Sequence, residues 1–110
     1  MNIYIKMIKS PRKNKKYRML FYVLDDNKKL KKIKHTDFGG VKADGTPYSD
    51  FTIHNKDTKR RDRYLMRHMR NEDWSKFLTA GSLSRWILWN KPDLQKSLED
   101  YAKKFNLIII

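Results

Sequence analysis

The sequence contains no cysteine and no long apolar run. Without cysteine the chain cannot form a disulfide, offers no thiolate nucleophile and cannot build a cysteine-ligated zinc site. The apolar end of the chain, residues 107–110, is too short to span a bilayer. Residues 1–9 are apolar at alternate positions and too short for a signal peptide. We therefore expect no membrane insertion and no secretion.

Acidic residues are scarce as well. The chain has 12 acidic and 26 basic residues among 110, which gives a formal net charge of +14. Such an excess repels itself unless a polyanion neutralises it, so we expect a nucleic acid, an anionic membrane surface or an acidic protein as the partner. Phosphates that a protein neutralises release their counterions, which supplies affinity without any contact to a base. The composition thus favours binding to a nucleic-acid backbone.

The positive charge is unevenly distributed along the chain. Residues 1–42 contain thirteen basic and three acidic side chains, and residues 54–76 contain eight and four. The remaining residues contain five of each. We therefore expect a basic N-terminal part and one basic central segment, held by a nearly neutral C-terminal scaffold.

Alternating and β-branched residues predict three strands at the start of the chain. Residues 2–8 alternate in polarity, residues 17–24 are rich in aromatic and β-branched side chains, and residues 29–35 follow an Asp-Asp-Asn turn. The connections between them are short, which predicts a meander of three antiparallel strands.

The third of these strands has an irregular pattern. Leu30 and Ile33 are three residues apart instead of two, which indicates a weaker strand or a bulge. The strand region is predicted to cover residues 1–38. Glycine and proline then predict a loop over residues 39–53.

Three helices are predicted in a helical region that follows this loop and covers residues 54–106. Each has a capping residue or a proline near its start, and the third has an amphipathic pattern. The predicted bounds are Asn55 or Asp57 to about Arg70, Ser82 to Trp89, and Pro92 to about Phe105.

The order of these elements predicts an α+β fold. The expected architecture is an N-terminal three-stranded antiparallel β-meander packed against about three C-terminal helices, in one domain of residues 1–110. The three tryptophans fall in the nearly neutral part and are expected to anchor the helices on the sheet. They are Trp74, Trp86 and Trp89.

The first predicted helix has one cationic face. At about 100° per residue, five cations fall within about a quarter of its circumference, and Leu65 and Met69 lie almost opposite. Only two acids lie within the helix, too few to neutralise the row. A solvated helix face is the alternative, but arginine suits phosphate because its planar guanidinium donates two hydrogen bonds together. The five cations are Lys56, Arg60, Arg63, Arg67 and Arg70, with Lys59 at the edge.

Two further basic clusters lie in the strand region. The first covers the connection between the first two strands, where a basic hairpin can follow a backbone or enter a groove. The second is spread over both sides of the third strand, which weakens its interpretation as one binding face. A solvated loop and a charged edge that prevents aggregation are the ordinary alternatives. The candidate residues from these clusters are Arg12, Lys13, Lys15, Lys16, Arg18 and Lys34.

Aromatic residues on the predicted sheet allow a second interpretation. Tyr4, Tyr17, Phe21 and Tyr22 lie among basic residues, as in stacking platforms for single strands. Most of them are expected in the core, and the aromatic-rich consensus of an RNA-recognition motif is absent. An RNA-binding module that stacks bases on Tyr17, Phe21 or Tyr22 is therefore an alternative.

Enzymatic activity is not predicted. The histidines are scattered, and the sequence has neither a metal-binding HExxH spacing nor a phosphate-binding GxxxxGK motif. A nuclease could use Asp50 or Asp57 with His54, but one acid beside a histidine is common by chance. We expect no catalytic residue, no metal and no cofactor.

Three segments in the last two-thirds of the chain form a specific pattern. They are IHNKDTKRRDRYLMRH at 53–68, EDW at 72–74 and AGSLSRWILWNKP at 80–92. In these segments the chain resembles a family of small basic proteins of giant nucleocytoplasmic large DNA viruses, some of which resemble virion nucleoid proteins that compact the genome. The resemblance implies DNA packaging, with a location in the virion nucleoid and in the host cytoplasm or viral factory. It bears on Arg60, Arg61, Arg63, Arg67, His68 and Arg85, although such motifs equally record structural ion pairs or caps.

The hypothesis from the sequence is a non-enzymatic, largely sequence-independent binder of double-stranded DNA that compacts a viral genome. Self-association through residues 107–110 would assist compaction, although this end can also dock on the domain. A minor capsid or scaffold protein with acidic partners is an alternative beside RNA binding. The predicted phosphate contacts are Arg12, Lys13, Lys15, Lys16, Arg18, Lys34, Lys56, Lys59, Arg60, Arg61, Arg63, Arg67, Arg70 and Arg85.

Overall fold

The N-terminal strands form the predicted antiparallel meander. A computed structural model describes residues 2–53 and 57–110. The strands are β1 (Ile3–Lys9), β2 (Lys15–Leu24) and β3 (Leu30–Gly40), and each pairs antiparallel with the next. The strand prediction is confirmed, but β3 continues through Gly40 and so enters the segment predicted as loop.

The end of the chain adds a fourth strand, which the sequence did not predict. Strand β4 (Leu107–Ile109) pairs in parallel with β1, with Ile3 opposite Leu107, so the order across the sheet is β3-β2-β1-β4. The backbone N–H of Ile110 donates to the carbonyl of Ile5 at 2.9 Å. Docking of this apolar end on the domain is therefore confirmed.

The predicted bulge lies in β3. Phe21 is opposite Lys34, whereas the next residue, Tyr22, is opposite Lys32. Ile33 is thus the extra residue, and a bulge of this kind bends and twists its strand. The three-residue spacing of Leu30 and Ile33 correctly indicated this irregularity.

Gly39 allows the end of β3 to approach its neighbours closely. Its φ of +80° lies in the left-handed region that favours glycine. A Cβ atom at this position would lie 3.0 Å from Lys16 Cβ and 3.0 Å from Leu88 Cδ1. This glycine therefore permits the contact between the hairpin and the helical part of the chain.

Three helical elements follow, as predicted. They are α1 (Thr58–His68), α2 (Ala80–Leu83), which continues as a π-helical turn over Ser84–Leu88, and α3 (Leu94–Lys104). The first helix, predicted to run to about Arg70, ends at His68.

The helix caps follow the expected chemistry with two corrections. Asp57 accepts the backbone N–H of Arg60 and caps α1, while the alternative cap Asn55 lies outside the described residues. Thr79 caps α2 by accepting the N–H of Ser82, so Ser82 is inside the helix and is not its cap. Threonine in extended conformation is also among the preferred N-cap residues. Asp93 caps α3, and Pro92 precedes that cap instead of lying in the first turn.

The helices cover one face of the sheet, where the core is formed. Ile5, Met19 and Phe21 are fully buried from the sheet side, and Ile87 and Tyr101 are fully buried from the helical side. The α+β prediction, a meander followed by helices, is confirmed. None of the helices in the described residues is both long and apolar enough to cross a membrane.

Candidate nucleic-acid interface

Helix α1 packs on the domain through aromatic stacking. The Tyr64 ring lies 4.2 Å from the Trp89 ring at an interplanar angle of 6°, and His68 stacks on the other side of Tyr64 at 4.2 Å. Leu65 packs against the core as predicted. Met69 was predicted on the same apolar face, but its side chain is 58% exposed because the stack, not an aliphatic stripe, fixes the helix rotation.

The opposite face of α1 presents the predicted cations. Lys59, Arg63 and Arg67 are exposed on the helix, and Arg70 is exposed in the turn that follows it. Among the described residues none of these four takes part in a salt bridge. Arg60 lies beside Asp57 at 3.6 Å and is partly exposed. Lys56, which was predicted to continue the row, lies outside the described residues.

The β1–β2 hairpin presents a second group of cations. Arg12 and Lys13 are exposed at the turn, and Lys15 is half-buried at the start of β2. The turn is held by hydrogen bonds from Ser10 N to Lys16 O and from Lys15 N to Arg12 O. These side chains line a groove whose other wall includes Lys42 and one exposed acid, Asp44.

Lys16, which was predicted to contact phosphate, is almost buried and is not available on the surface. Its Nζ forms an ion pair with Asp50 and donates to the carbonyl of Tyr48. The side chains of Lys16 and Asp50 are only 9% and 2% exposed. Burial is the larger cause that raises the pKa of Tyr17 beside this pair, and the charge of Asp50 raises this pKa further. The structure therefore places Lys16 in an internal ion pair.

Arg18 is also held by an acid. Its Nε donates to Asp37 Oδ1 at 2.8 Å and its Nη2 donates to Oδ2 at 3.1 Å, in the bidentate geometry typical of guanidinium and carboxylate. Ser10 Oγ donates to the same carboxylate at 2.9 Å. The hydrogen bond from Arg18, followed by that from Ser10, holds the pKa of Asp37 below its ordinary value. Arg18 therefore joins β2 to β3 across the sheet.

Arg61 and Arg85 face the interior. Arg61 lies over the Phe51 ring at 5.0 Å and donates to the carbonyl of Asn90 at 3.3 Å. Arg85 lies over the Trp86 ring at 4.3 Å. Burial is the larger cause that lowers the pKa of Arg85, and the charge of Arg61 lowers this pKa further. Both guanidinium groups thus contact neighbouring aromatic rings and carbonyls.

Lys34 is exposed but lies apart from the other candidates. It lines a separate depression with Thr36 and residues 75–80. The structure therefore does not bring it together with the hairpin or with α1.

The hairpin and α1 meet at one depression. Lys15 and Arg67 both line it, and Lys15 also lines the hairpin groove that contains Lys42. The walls of this depression include His68 and Glu72, whose Nδ1 and Oε1 atoms are 3.0 Å apart. The two cationic regions therefore border the same depression, with Lys15 from the hairpin and Arg67 from α1 in its lining. We call this combined region the basic surface; its cations are Arg12, Lys13, Lys15, Lys42, Lys59, Arg63, Arg67 and Arg70.

Lys42 is the residue of the basic surface that sequence reasoning missed. It lies in the connection after β3, where its position relative to the hairpin depends on the pairing of β2 with β3. The hydrogen bond from Val41 N to Asn14 O, 3.0 Å long, brings the connection to the hairpin. The excess of positive charge up to residue 42 was the available signal.

The acids considered for a nuclease have structural partners. Asp50 accepts from Lys16 and from Thr52, and Asp57 caps α1. His54 lies outside the described residues. Within residues 2–53 and 57–110 no group of three or more histidine and acidic side chains is placed to hold a metal ion.

Residues 5–68 match a protein family described as a family of unknown function, DUF5754. This match covers more than half of the chain. The chain belongs to this family. The matched part of the DUF5754 chain contains the meander from Ile5 onward, the hairpin and helix α1, so it includes the whole basic surface except Arg70. No curated protein and no solved structure matches the chain.

Proposed function

We propose that this protein binds double-stranded DNA through the phosphate backbone, without reading the base sequence and without catalysis. The observation that supports the proposal is the basic surface, in which Lys15 of the hairpin and Arg67 of α1 line one depression. Side chains that are exposed and not paired with an acid are available to replace the counterions of a polyanion.

The arginine row of α1 has the dimensions of a duplex backbone. Arg63 and Arg67 lie on α1 and Arg70 lies in the turn that follows it, and over these eight residues a helical rise of 1.5 Å per residue gives about 10 Å. One strand of duplex DNA has about three phosphates over that length, at 3.4 Å per step. Each guanidinium can donate two hydrogen bonds to one phosphate. The row therefore suits consecutive phosphates on a single strand.

The proportions of the whole chain suit charge neutralisation. Its longest dimension is 47 Å, and a duplex of that length has about 28 phosphates at one charge per 1.7 Å. One chain, with a net charge of +14, would neutralise about half of them. Two chains on opposite sides of the duplex would neutralise it in full, which is the electrostatic condition that favours close packing of duplexes.

The resemblance to small basic proteins of giant viruses extends this proposal to genome compaction in a virion nucleoid. The residues shared with that pattern include Arg63 and Arg67, which lie on the exposed face of α1. The same pattern includes Arg61 and Arg85, which contact aromatic rings inside the domain. The pattern therefore combines structural arginines with those that we propose to bind phosphate.

The test is a titration of the purified protein against duplexes of equal length and different base composition at stepped salt concentrations. We expect equal affinities for all duplexes and a logarithmic slope of about −0.9 for each phosphate contacted, so that affinity falls steeply with salt. A single preferred duplex, or affinity independent of salt, would contradict the proposal. Polyglutamate of the same charge is the control, because tighter binding to it than to DNA would favour an acidic protein partner.

A further inference from the structure

The second face of the sheet is open in the described part of the chain. Side chains alternate along a strand, so the neighbours of the buried Ile5 and Phe21 point away from the helices. Tyr4, Leu20 and Tyr22 occupy this open face, and they do not belong to the buried core or to the side chains that pack against it. All three residues are half-buried.

Two tyrosines are neighbours at the centre of this face. Tyr4 of β1 is the direct partner of Tyr22 of β2. The same row continues with Lys32 on β3 and Ile108 on β4. Side chains that are opposite each other on adjacent strands have Cβ atoms about 5 Å apart. The two tyrosines therefore occupy adjacent positions on this face, with a lysine at one end of their row.

The next row adds one more lysine. It contains Lys6 on β1, opposite Leu20, and His35 on β3, also opposite Leu20. Among the paired strand residues, this face has one acid. It is Asp37, which forms a salt bridge with Arg18. The lysines next to the tyrosines are therefore left without a salt bridge in the described residues.

We propose that the open face binds single-stranded DNA, with one base stacked on Tyr4, another on Tyr22, and phosphates at Lys6 and Lys32. Stacking on an aromatic ring tolerates every base because each has a π-face, and basic residues beside the rings hold the backbone. This site is distinct from the basic surface, which lies at the hairpin end and on α1. The choice of DNA over RNA, and only that choice, rests on the proposed function.

Charge argues for a polyanion on this face and against a second copy of the chain. Two copies packed face to face would bring the lysines of one against those of the other, and each chain has a net charge of +14. A strand of nucleic acid instead supplies negative charge and flat apolar bases together. Both features match the two tyrosines and their lysine neighbours.

The experiment compares three ligands of equal length: oligothymidine, an abasic oligomer with the same phosphates but no bases, and a duplex. We expect wild-type protein to bind oligothymidine more tightly than the abasic oligomer. Each of Tyr4→Ala and Tyr22→Ala should weaken oligothymidine binding about 5- to 150-fold. The same variants should leave the abasic oligomer and the duplex nearly unaffected. Tyr4→Phe and Tyr22→Phe keep the ring and should retain binding.

Several outcomes would overturn the inference. Equal losses for all three ligands would show that the tyrosines act on the fold or on charge alone, and near-ultraviolet circular dichroism of each variant identifies the former. A wild-type dimer that sediments as a monomer after Tyr22→Ala would assign the face to a second copy. Tighter binding of oligouridine RNA than of oligothymidine would overturn the choice of DNA. The basic surface is tested separately, with variants of Arg63 and Arg67. If these variants lose duplex binding but still bind oligothymidine more tightly than the abasic oligomer, the result supports a separate site at the tyrosines.

Discussion

The ion pair of Lys16 and Asp50 diverts one lysine of the basic hairpin to a structural role. The Asp50 carboxylate also accepts from the Thr52 hydroxyl and from the backbone N–H groups of Thr52 and Ile53. These bonds tie the connection after β3 to the start of β2. An almost fully buried carboxylate requires such partners, because removing one of them leaves an uncompensated charge in the interior.

Substitution of Asp50 by Asn should therefore destabilise the protein by about 3–5 kcal/mol, since it leaves Lys16 charged and buried. Asp62→Asn is the matched control. Asp62 is 63% exposed beside Arg61, so its loss should cost less than about 1 kcal/mol. Urea denaturation at neutral pH measures both. Equal effects of the two substitutions would show that the Lys16–Asp50 pair is not a special element of the fold.

The bidentate pair of Arg18 and Asp37 makes stability depend on pH in the acid range. The pKa of Asp37 is lowered in the folded protein, chiefly by the hydrogen bond from Arg18. A carboxyl with a lowered folded-state pKa contributes stability that is fully present above its unfolded value, about 3.9, and is lost as pH falls through the lower folded value.

Asp37→Asn should thus lower the Tm at pH 6, whereas the difference from wild type should shrink below about pH 4. Thermal unfolding followed by circular dichroism from pH 2.5 to pH 7 tests this. Asp26→Asn is the control, because it makes the same change in charge on the exposed turn between β2 and β3. A difference between wild type and Asp37→Asn that stays constant down to pH 2.5 would exclude the pair as its source.

Helix α1 separates structural from exposed arginines by its rotation. The stack of Tyr64 on Trp89 places Arg61 against Phe51 and turns Arg63 and Arg67 outward. At about 100° per residue, Arg61 is about 160° from Arg63. Neighbouring arginines in one motif therefore have different environments, and only the outward ones are available to a partner.

The double variant Arg63→Ala/Arg67→Ala should weaken duplex binding and reduce the salt slope by about 2, at about 0.9 for each phosphate that is no longer neutralised. Lys96→Ala/Lys103→Ala on α3 removes the same charge from another part of the chain. It should leave the slope nearly unchanged. Fluorescence anisotropy at four salt concentrations distinguishes the two. If both variants reduce the slope equally, net charge alone would account for binding, and α1 would be an ordinary solvated helix.

The whole molecule is elongated and has an excess charge that its own acids do not balance. Its dimensions are 47 × 30 × 25 Å, and its net charge is +14. Binding of several copies along a duplex should therefore continue until the phosphate charge is balanced.

Neutralisation should occur at about one chain per seven base pairs, because seven base pairs have about 14 phosphates. Electrophoretic mobility of long duplex DNA should approach zero at that ratio, and light scattering should rise there. The same titration in about 0.5 M salt should give neither effect, since screening weakens the contacts. Saturation at a much lower ratio without loss of mobility would mean that the chains bind isolated sites and do not compact DNA.

Features that depend on neighbouring residues could be predicted from the amino-acid sequence. Alternation indicated the meander, the spacing of Leu30 and Ile33 indicated the bulge, and Asp57 marked the start of α1. The net charge and the cationic stripe of α1 followed equally from composition and helical periodicity. Each of these signals lies within a few residues of the structure that it predicts.

The cations that remain available to a partner could be identified only in the folded domain. Lys16 is paired with an acid 34 positions away, and Arg61 donates to a carbonyl 29 positions away. Strand β4 pairs with β1 from the opposite end of the chain, and Lys15 and Arg67 line one depression only because residues far apart in the sequence come together in the fold. Such partners follow from the packing of the whole domain, so the pattern of a short segment does not specify them.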